Sequence, residues 1–280
     1  VSILAILLGI GSAAGFAIGS VLEQHAAKRE RPTRTMDPRL LLRLLTRPMW
    51  LLGWVPDAIG TGLQAFALRY GPLALVEPLL VSGLFMAIPL EAALERRRPH
   101  RRDILVVVLG VVGLTAFLAA AYPQAGVPVP TPLAWLGVGI AAGVLVLICL
   151  AVAWRTSGAA RGIMLGIATG LLYGVAAALL KAITTRLDGN LLAVFADWHL
   201  YALMVVGLAA IALNQNAFQG GPIAAPLTTI ALVDPLSSVF IGITAFQERL
   251  SVDGPRLAIQ LVAVAMMVSG IWLARRTRSE

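Results

Sequence analysis

ALVEPL, residues 74–79, returns as ALVDPL, residues 231–236, at an offset of 157. Both copies lie inside long apolar runs, and both set an acid directly before a proline. The offset holds beyond the hexamer. Glu77 precedes Glu91 by 14 residues, and Asp234 precedes Glu248 by 14. Gly113 and Gly270 are 157 apart, as are Leu8-Gly9-Ile10 and Leu165-Gly166-Ile167. Between these anchors the register slips by five and returns, with Gln64-Ala65-Phe66 opposite Asn216-Ala217-Phe218 at an offset of 152. Several anchors at one offset read as an internal repeat, which has to be recognised before any function is argued.

The surroundings of the hexamer set the solvent. Of 280 residues, 59% are hydrophobic and 13% charged, and the mean hydropathy is +0.86. A soluble domain is about 45–50% apolar and about 25% charged. This balance excludes a soluble enzyme and a disordered chain, and the single Cys149 excludes a disulfide scaffold. Long apolar runs disfavour a β-barrel, whose strands alternate lipid and lumen sides. The basic residues are Arg except for Lys28 and Lys181, which with the abundant Ala, Gly and Leu fits a GC-rich bacterial genome. No run reads as a signal peptide, since the first begins at Val1 without a basic leader.

A bilayer core of about 30 Å needs about 20 apolar residues per helix. Nine runs qualify, at 1–22, 49–68, 72–91, 103–122, 132–154, 161–183, 197–217, 223–246 and 256–274. The expected fold is therefore all-α and polytopic, with spans 1–4 repeated as spans 6–9 and span 5 as a linker helix. The units are 1–122, a link with linker helix over 123–157, and 158–280. An odd linker makes the second half enter the membrane from the opposite side, so the repeats are inverted. That is a common plan of secondary transporters, with substrate held near the midplane between halves.

Basic residues set the orientation. With nine spans, 17 Lys and Arg fall on one side, in segments 23–48, 92–102, 155–161 and the C-terminal tail, against 5 on the other. The N-terminus is then outside and the C-terminus cytoplasmic, in the plasma membrane. The net charge of +8 is spent on topology and calls for no nucleic acid. Segment 121–133, uncharged and with four prolines, reads as a stiff external link. Trp50, Trp54, Trp135, Trp154, Trp198 and Trp272 fall near span ends, as an interfacial belt would.

Ionisable residues inside a span cost about 2.5–3.5 kcal/mol each on insertion scales, and so mark candidate sites. Asp57, Glu77 and Asp234 qualify. At 1.5 Å per residue, Glu77 lies about 21 Å from the inner end of its span and Asp234 about 21 Å from the outer end of its own, so the two mirror each other. Asp57 matches the depth of Asp234, Gln64 that of Glu77, and Asn214 with Asn216 approaches the inner level. Pro78 and Pro235 each remove a helical N–H and free a carbonyl four residues earlier. Carboxylates beside freed carbonyls suit a hard cation such as Mg²⁺ or an exchangeable proton. Glu77 and Asp234 are thus the candidate metal or proton ligands, with Asp57, Gln64, Asn214 and Asn216 as further contacts to substrate. Each has an alternative reading as a hydrogen bond between helices. Lys181 occupies the repeat position of Gln24 and either snorkels to the interface or approaches an acid or anionic substrate. Glu91, Glu95, Glu248 and Arg249 fall at helix ends and read as solvated. Gly11, Gly15 and Gly19, like Gly166, Gly170 and Gly174, are spaced by four, which lets a neighbouring backbone approach. Such faces pack helices within one chain or seat a homodimer.

ALVDPLSSVFIGITAFQERL (231–250), followed by a final helix with Gly270, resembles the second-half signature of the drug/metabolite transporter superfamily. Gln247-Glu248-Arg249-Leu250 matches its Glu-Arg-Leu ending, and ALRYGPLALVEPL matches the first-half helix. The nine-span plan with an external N-terminus resembles the NIPA-type magnesium transporters. Glu95-Arg96-Arg97-Arg98 departs from the usual first-half ending. The resemblance implies a transporter of Mg²⁺ or of a small organic solute, working without a cofactor. Two other classes stand beside it. An intramembrane enzyme would need a catalytic cluster, but His25, His100 and His199 all fall in loops or at span ends and no paired His/Glu metal motif occurs. A structural or regulatory membrane subunit would leave the buried acids unexplained.

Overall fold

A bilayer offers backbone groups no partner, so a spanning chain satisfies them within helices. The structure, a computed structural model, describes residues 2–28, 48–94, 100–187, 191–217 and 224–277. These form ten α-helices: α1 (Ile3–Lys28), α2 (Pro48–Tyr70), α3 (Leu73–Leu80), α4 (Ser82–Leu94), α5 (Arg101–Ala121), α6 (Pro132–Arg155), α7 (Gly158–Thr185), α8 (Trp198–Ala217), α9 (Ala224–Thr244) and α10 (Gly254–Thr277). A 3₁₀ segment, Leu191–Ala196, precedes α8. The fold among the described residues is all-helical, apart from one isolated bridge between Gln124 and Arg249.

Eight helical stretches are long and apolar enough to cross a membrane, α3 and α4 counting together as one over Leu73–Leu94. This is a multi-pass membrane protein. The expected ninth span is α2, a helix of 23 residues and about 35 Å. It falls outside the eight because Pro56, Asp57, Thr61 and Gln64 dilute its apolar run.

Small residues bring the helices together. A Cβ on Gly15 would lie 2.8 Å from the Pro56 carbonyl oxygen and 3.0 Å from Gly60 Cα. Ser12 Oγ donates to the Gly60 carbonyl at 2.7 Å, so α1 and α2 touch backbone to backbone. The other face of α1 carries Ala5, Gly9, Ala13 and Ala17 along α3 and α4. Gly9 abuts Leu79, Gly83 abuts the Ala13 backbone, and Ala17 shares a cluster with Ala87. On α7, Gly162, Gly166, Gly170 and Gly174 run along Pro226, Val233 and Ser237 of α9. The spaced glycines are thus packing faces within the chain, and neither set is free to seat a second copy. Their neighbours differ, since Gly11, Gly15 and Gly19 meet α2 whereas Gly166, Gly170 and Gly174 meet α9.

α5 lies along α10. A Cβ on Gly113 would meet Ala263 O at 2.9 Å and Met267 Cγ at 2.9 Å, while one on Gly270 would meet Val106 O at 3.4 Å and Gly110 N at 3.5 Å. The uncharged link leads from Tyr122 to Thr131, whose hydroxyl caps α6 by accepting from Ala134 N at 3.2 Å. α6 and α8 are mostly exposed along their apolar lengths, as lipid-facing helices are.

Candidate functional site

The first acid sits at a broken helix. Pro78 lies within α3, and the chain turns at Val81 before α4 begins at Ser82. Ser82 Oγ donates back to the Leu79 carbonyl at 2.6 Å across this break. Pro235, by contrast, sits inside a continuous α9. The same acid–proline pair therefore lies just before a one-residue interruption in the first half and inside an unbroken helix in the second.

Glu77 is 3% exposed, and its Oε1 accepts from Gln64 Nε2 of α2 at 3.0 Å. Asp234 of α9 lies near enough to Glu77 for the two carboxyls to interact electrostatically. Asp234 Oδ1 is shut off from solvent without a hydrogen-bond partner among the described residues. Tyr173 of α7 lies near Asn214 of α8 and within electrostatic reach of Asp234. Asn214 Oδ1 and Ser238 Oγ, the latter one turn beyond Asp234, are also buried without a partner among the described residues. Gln64, Glu77, Asn214 and Asp234 are thus gathered into one locus. Tyr173 joins them, and sequence spacing gave no sign of it. Buried acceptor oxygens without donors suit a ligand that is a cation or carries N–H or O–H groups.

Two predicted residues lie elsewhere. Asp57 is half-buried against α1, where a Cβ on Gly19 would overlap its Oδ1. It stands seven residues from Gln64, about 10 Å along α2, which separates it from Glu77. Asn216 is exposed and donates to the Ala212 carbonyl of its own helix at 2.8 Å. Positions 214 and 216 are about 200° apart around a helix and cannot face one site. Among the described residues, no group of three or more His, Cys, Asp or Glu could hold a metal ion. Any metal at the Glu77–Asp234 locus would keep several waters, as Mg²⁺ usually does.

Glu248, expected to be solvated, is 2% exposed. Its Oε1 accepts from Leu73 N at 2.6 Å and its Oε2 from Ala74 N at 2.8 Å, which caps α3. Lys181 Nζ completes the pair at Oε1 and lies 4.7 Å from the Phe246 ring centroid. Lys181 thus takes the alternative of meeting an acid and does not snorkel. A helix end is no guarantee of hydration when the following turn folds back. Gln247 adopts φ 55°, and Glu248 N donates to Gly242 O at 2.9 Å. The available signals were the recurrence of an acid at 91 and 248 and the one lysine inside an apolar helix.

His199, at the start of α8, is 1% exposed and pairs its Nδ1 with Asp197 Oδ1 at 2.5 Å. Trp135 meets its ring edge-on and Trp198 lies tilted over it, with centroids 5.2 and 4.0 Å away. Trp135 is therefore turned into the core against His199 and Phe246, not outward into an interfacial belt. Trp54, Trp154 and Trp198 are exposed as expected, and the side chains of Trp50 and Trp272 lie outside the described residues. Burial alone would raise the Asp197 carboxyl. Hydrogen bonds from His199 and Arg186 outweigh it and hold that carboxyl below its ordinary value.

No family profile matches the chain, and no solved structure matches it. The chain is 27% identical over 281 residues to an uncharacterized protein of Corynebacterium glutamicum, across 98% of this chain and 96% of that relative.

Proposed function

We propose that the chain is a secondary transporter of the drug/metabolite type, built from two inverted repeats and working by alternating access. Its substrate is a divalent cation such as Mg²⁺ or a small organic solute. The observation that carries this reading is that the acids of the two ALV(E/D)PL copies, Glu77 and Asp234, both have carboxyl oxygens shut off from solvent and lie within electrostatic reach of each other. Buried acids are costly to insert and are kept where they act on an ion or solute path.

The contact of α5 with α10 supports the repeat. Gly113 meets residues 263 and 267, while Gly270 meets 106 and 110, and each number of one set is its counterpart advanced by 157. A reciprocal contact of this kind is what a two-fold relation between halves requires. α1 and α7 agree, since Ala5, Gly9, Ala13 and Ala17 correspond at the same offset to Gly162, Gly166, Gly170 and Gly174. On this plan α2 is the ninth span, α6 the linker helix, and the N-terminus external.

The test is uptake into proteoliposomes carrying this chain alone, with Mg²⁺ and a metabolite panel. Glu77→Gln and Asp234→Asn are expected to abolish uptake while keeping the melting midpoint. Full uptake in both variants overturns the assignment. A chain that carries nothing by itself is a subunit.

A further inference from the structure

Three elements of distant sequence meet at the Glu248 carboxylate. Lys181 belongs to α7, Leu73 and Ala74 to the first turn of α3, and Glu248 to the turn after α9. Glu77 follows Leu73 by one helical turn, about 6 Å along the axis. The tie therefore grips the helix that carries the candidate site, directly on one side of it.

The surrounding packing closes that side. Phe246 and Val76, both fully buried, share one cluster with Leu73 and Ile241. The turn that carries Phe246 and Glu248 is pinned by the proline-rich link. Val127 N donates to Phe246 O at 2.7 Å, and Gln124 and Arg249 exchange backbone bonds at 2.9 and 3.2 Å. Arg69 Nη1 donates to Leu187 O at 2.5 Å and Thr184 O at 3.3 Å, which fastens the end of α2 to the end of α7.

On the transporter reading above, on which this rests, we infer that Lys181 and Glu248 are the gate of this side, and that they must part before Glu77 and Asp234 can be reached from it. A buried ion pair adds little net stability over an apolar pair of the same shape, because both charges give up hydration to form it. Such a pair has two comfortable states, joined and dry or parted and wet, and a strongly disfavoured state with one charge left buried alone. Those are the properties of a gate, and the bonds that Glu248 accepts from Leu73 N and Ala74 N tie its closed state to the helix that carries Glu77. The cation is not duplicated in the repeat, since Gln24 stands where Lys181 would recur. The Lys–Glu pairing itself is therefore not repeated at the equivalent positions.

The test reads access and not transport. Val76→Cys, in a Cys149→Ser background, places one thiol in the cluster that holds Phe246, one residue before Glu77. A membrane-impermeant maleimide is applied to the reconstituted protein, and the labelling rate is followed. Three changes part the pair by separate routes: Glu248→Gln, Lys181→Met, and Gly242→Ala, whose Cβ would lie 2.4 Å from Glu248 Oε2. Each is expected to raise the labelling rate at least tenfold in protein that stays folded, with Glu248→Gln and Lys181→Met melting lower because each leaves one buried charge unpaired. An unchanged rate in a variant that stays folded overturns the gate. Unfolding of all three also overturns it, because the pair is then a structural brace. If labelling responds but Glu77→Gln and Asp234→Asn carry solute like the wild type, the site falls and the moving pair stands. If those two variants are dead and labelling does not respond, the gate alone falls.

Discussion

Glu77 and Asp234 are the same residue class at the same repeat position, yet their surroundings differ. Glu77 has a donor in Gln64, while Asp234 keeps a buried oxygen without a partner among the described residues. A hydrogen bond to a charged group is worth about 1.5–3 kcal/mol, so removing the donor with Gln64→Leu should weaken solute binding about tenfold or more. The shift of the melting midpoint with solute concentration measures this, and an unaltered affinity would show that Gln64 only packs. Asp197 makes a different prediction. Its carboxyl is held below the ordinary value, so its contribution to stability is complete above the unfolded-state pKa and is lost as pH falls through the lower folded value. Asp197→Asn should lower the melting midpoint at neutral pH and flatten its decline in acid. A parallel decline in both proteins would remove the His199–Asp197 contact from the stability of this face.

At the scale of helices, glycine separates two roles. Gly15 and Gly170 sit where a Cβ would press on backbone atoms of α2 and α9, at 2.8 Å from Pro56 O and 3.0 Å from Asp234 N. Gly137, Gly139 and Gly143 of α6 face open space. Gly15→Val or Gly170→Val should cost about 1–3 kcal/mol or more, because overpacking there has to move a helix. Gly143→Ala should be neutral or slightly stabilising, since alanine is the better helix former. Thermal melting in one detergent decides both, and equal effects at the two kinds of site would contradict the packing. Spacing by four identified both glycine-rich faces but not their partners. A face states only that something can come close, and the approaching helix lies tens of residues away or more.

For the whole molecule the proposal fixes a topology. In a Cys149→Ser background, Ala125→Cys should be labelled on intact cells by an impermeant maleimide, whereas Ser157→Cys should require permeabilised cells. The reverse pattern would invert the orientation argued from the basic loops. The basic segment 29–47 lies outside the described residues, so this assignment rests on charge counting alone.

Burial in lipid is governed by composition over about 20 residues, a local quantity. The sequence by itself therefore determined the helical membrane class, most span boundaries, the repeated hexamer and the acids worth attention. The run at α2 is the most polar of the nine, because Asp57 and Gln64 interrupt the apolar stretch. The sequence read Glu248 as solvated. Only the tertiary structure decided which groups meet. Gln64 and Glu77 are 13 residues apart, Lys181 and Glu248 are 67 apart, and Leu73 and Glu248 are 175 apart. Pairings of that range follow from how whole helices cross. Those crossings depend on the fit of both surfaces, which no single window of sequence contains.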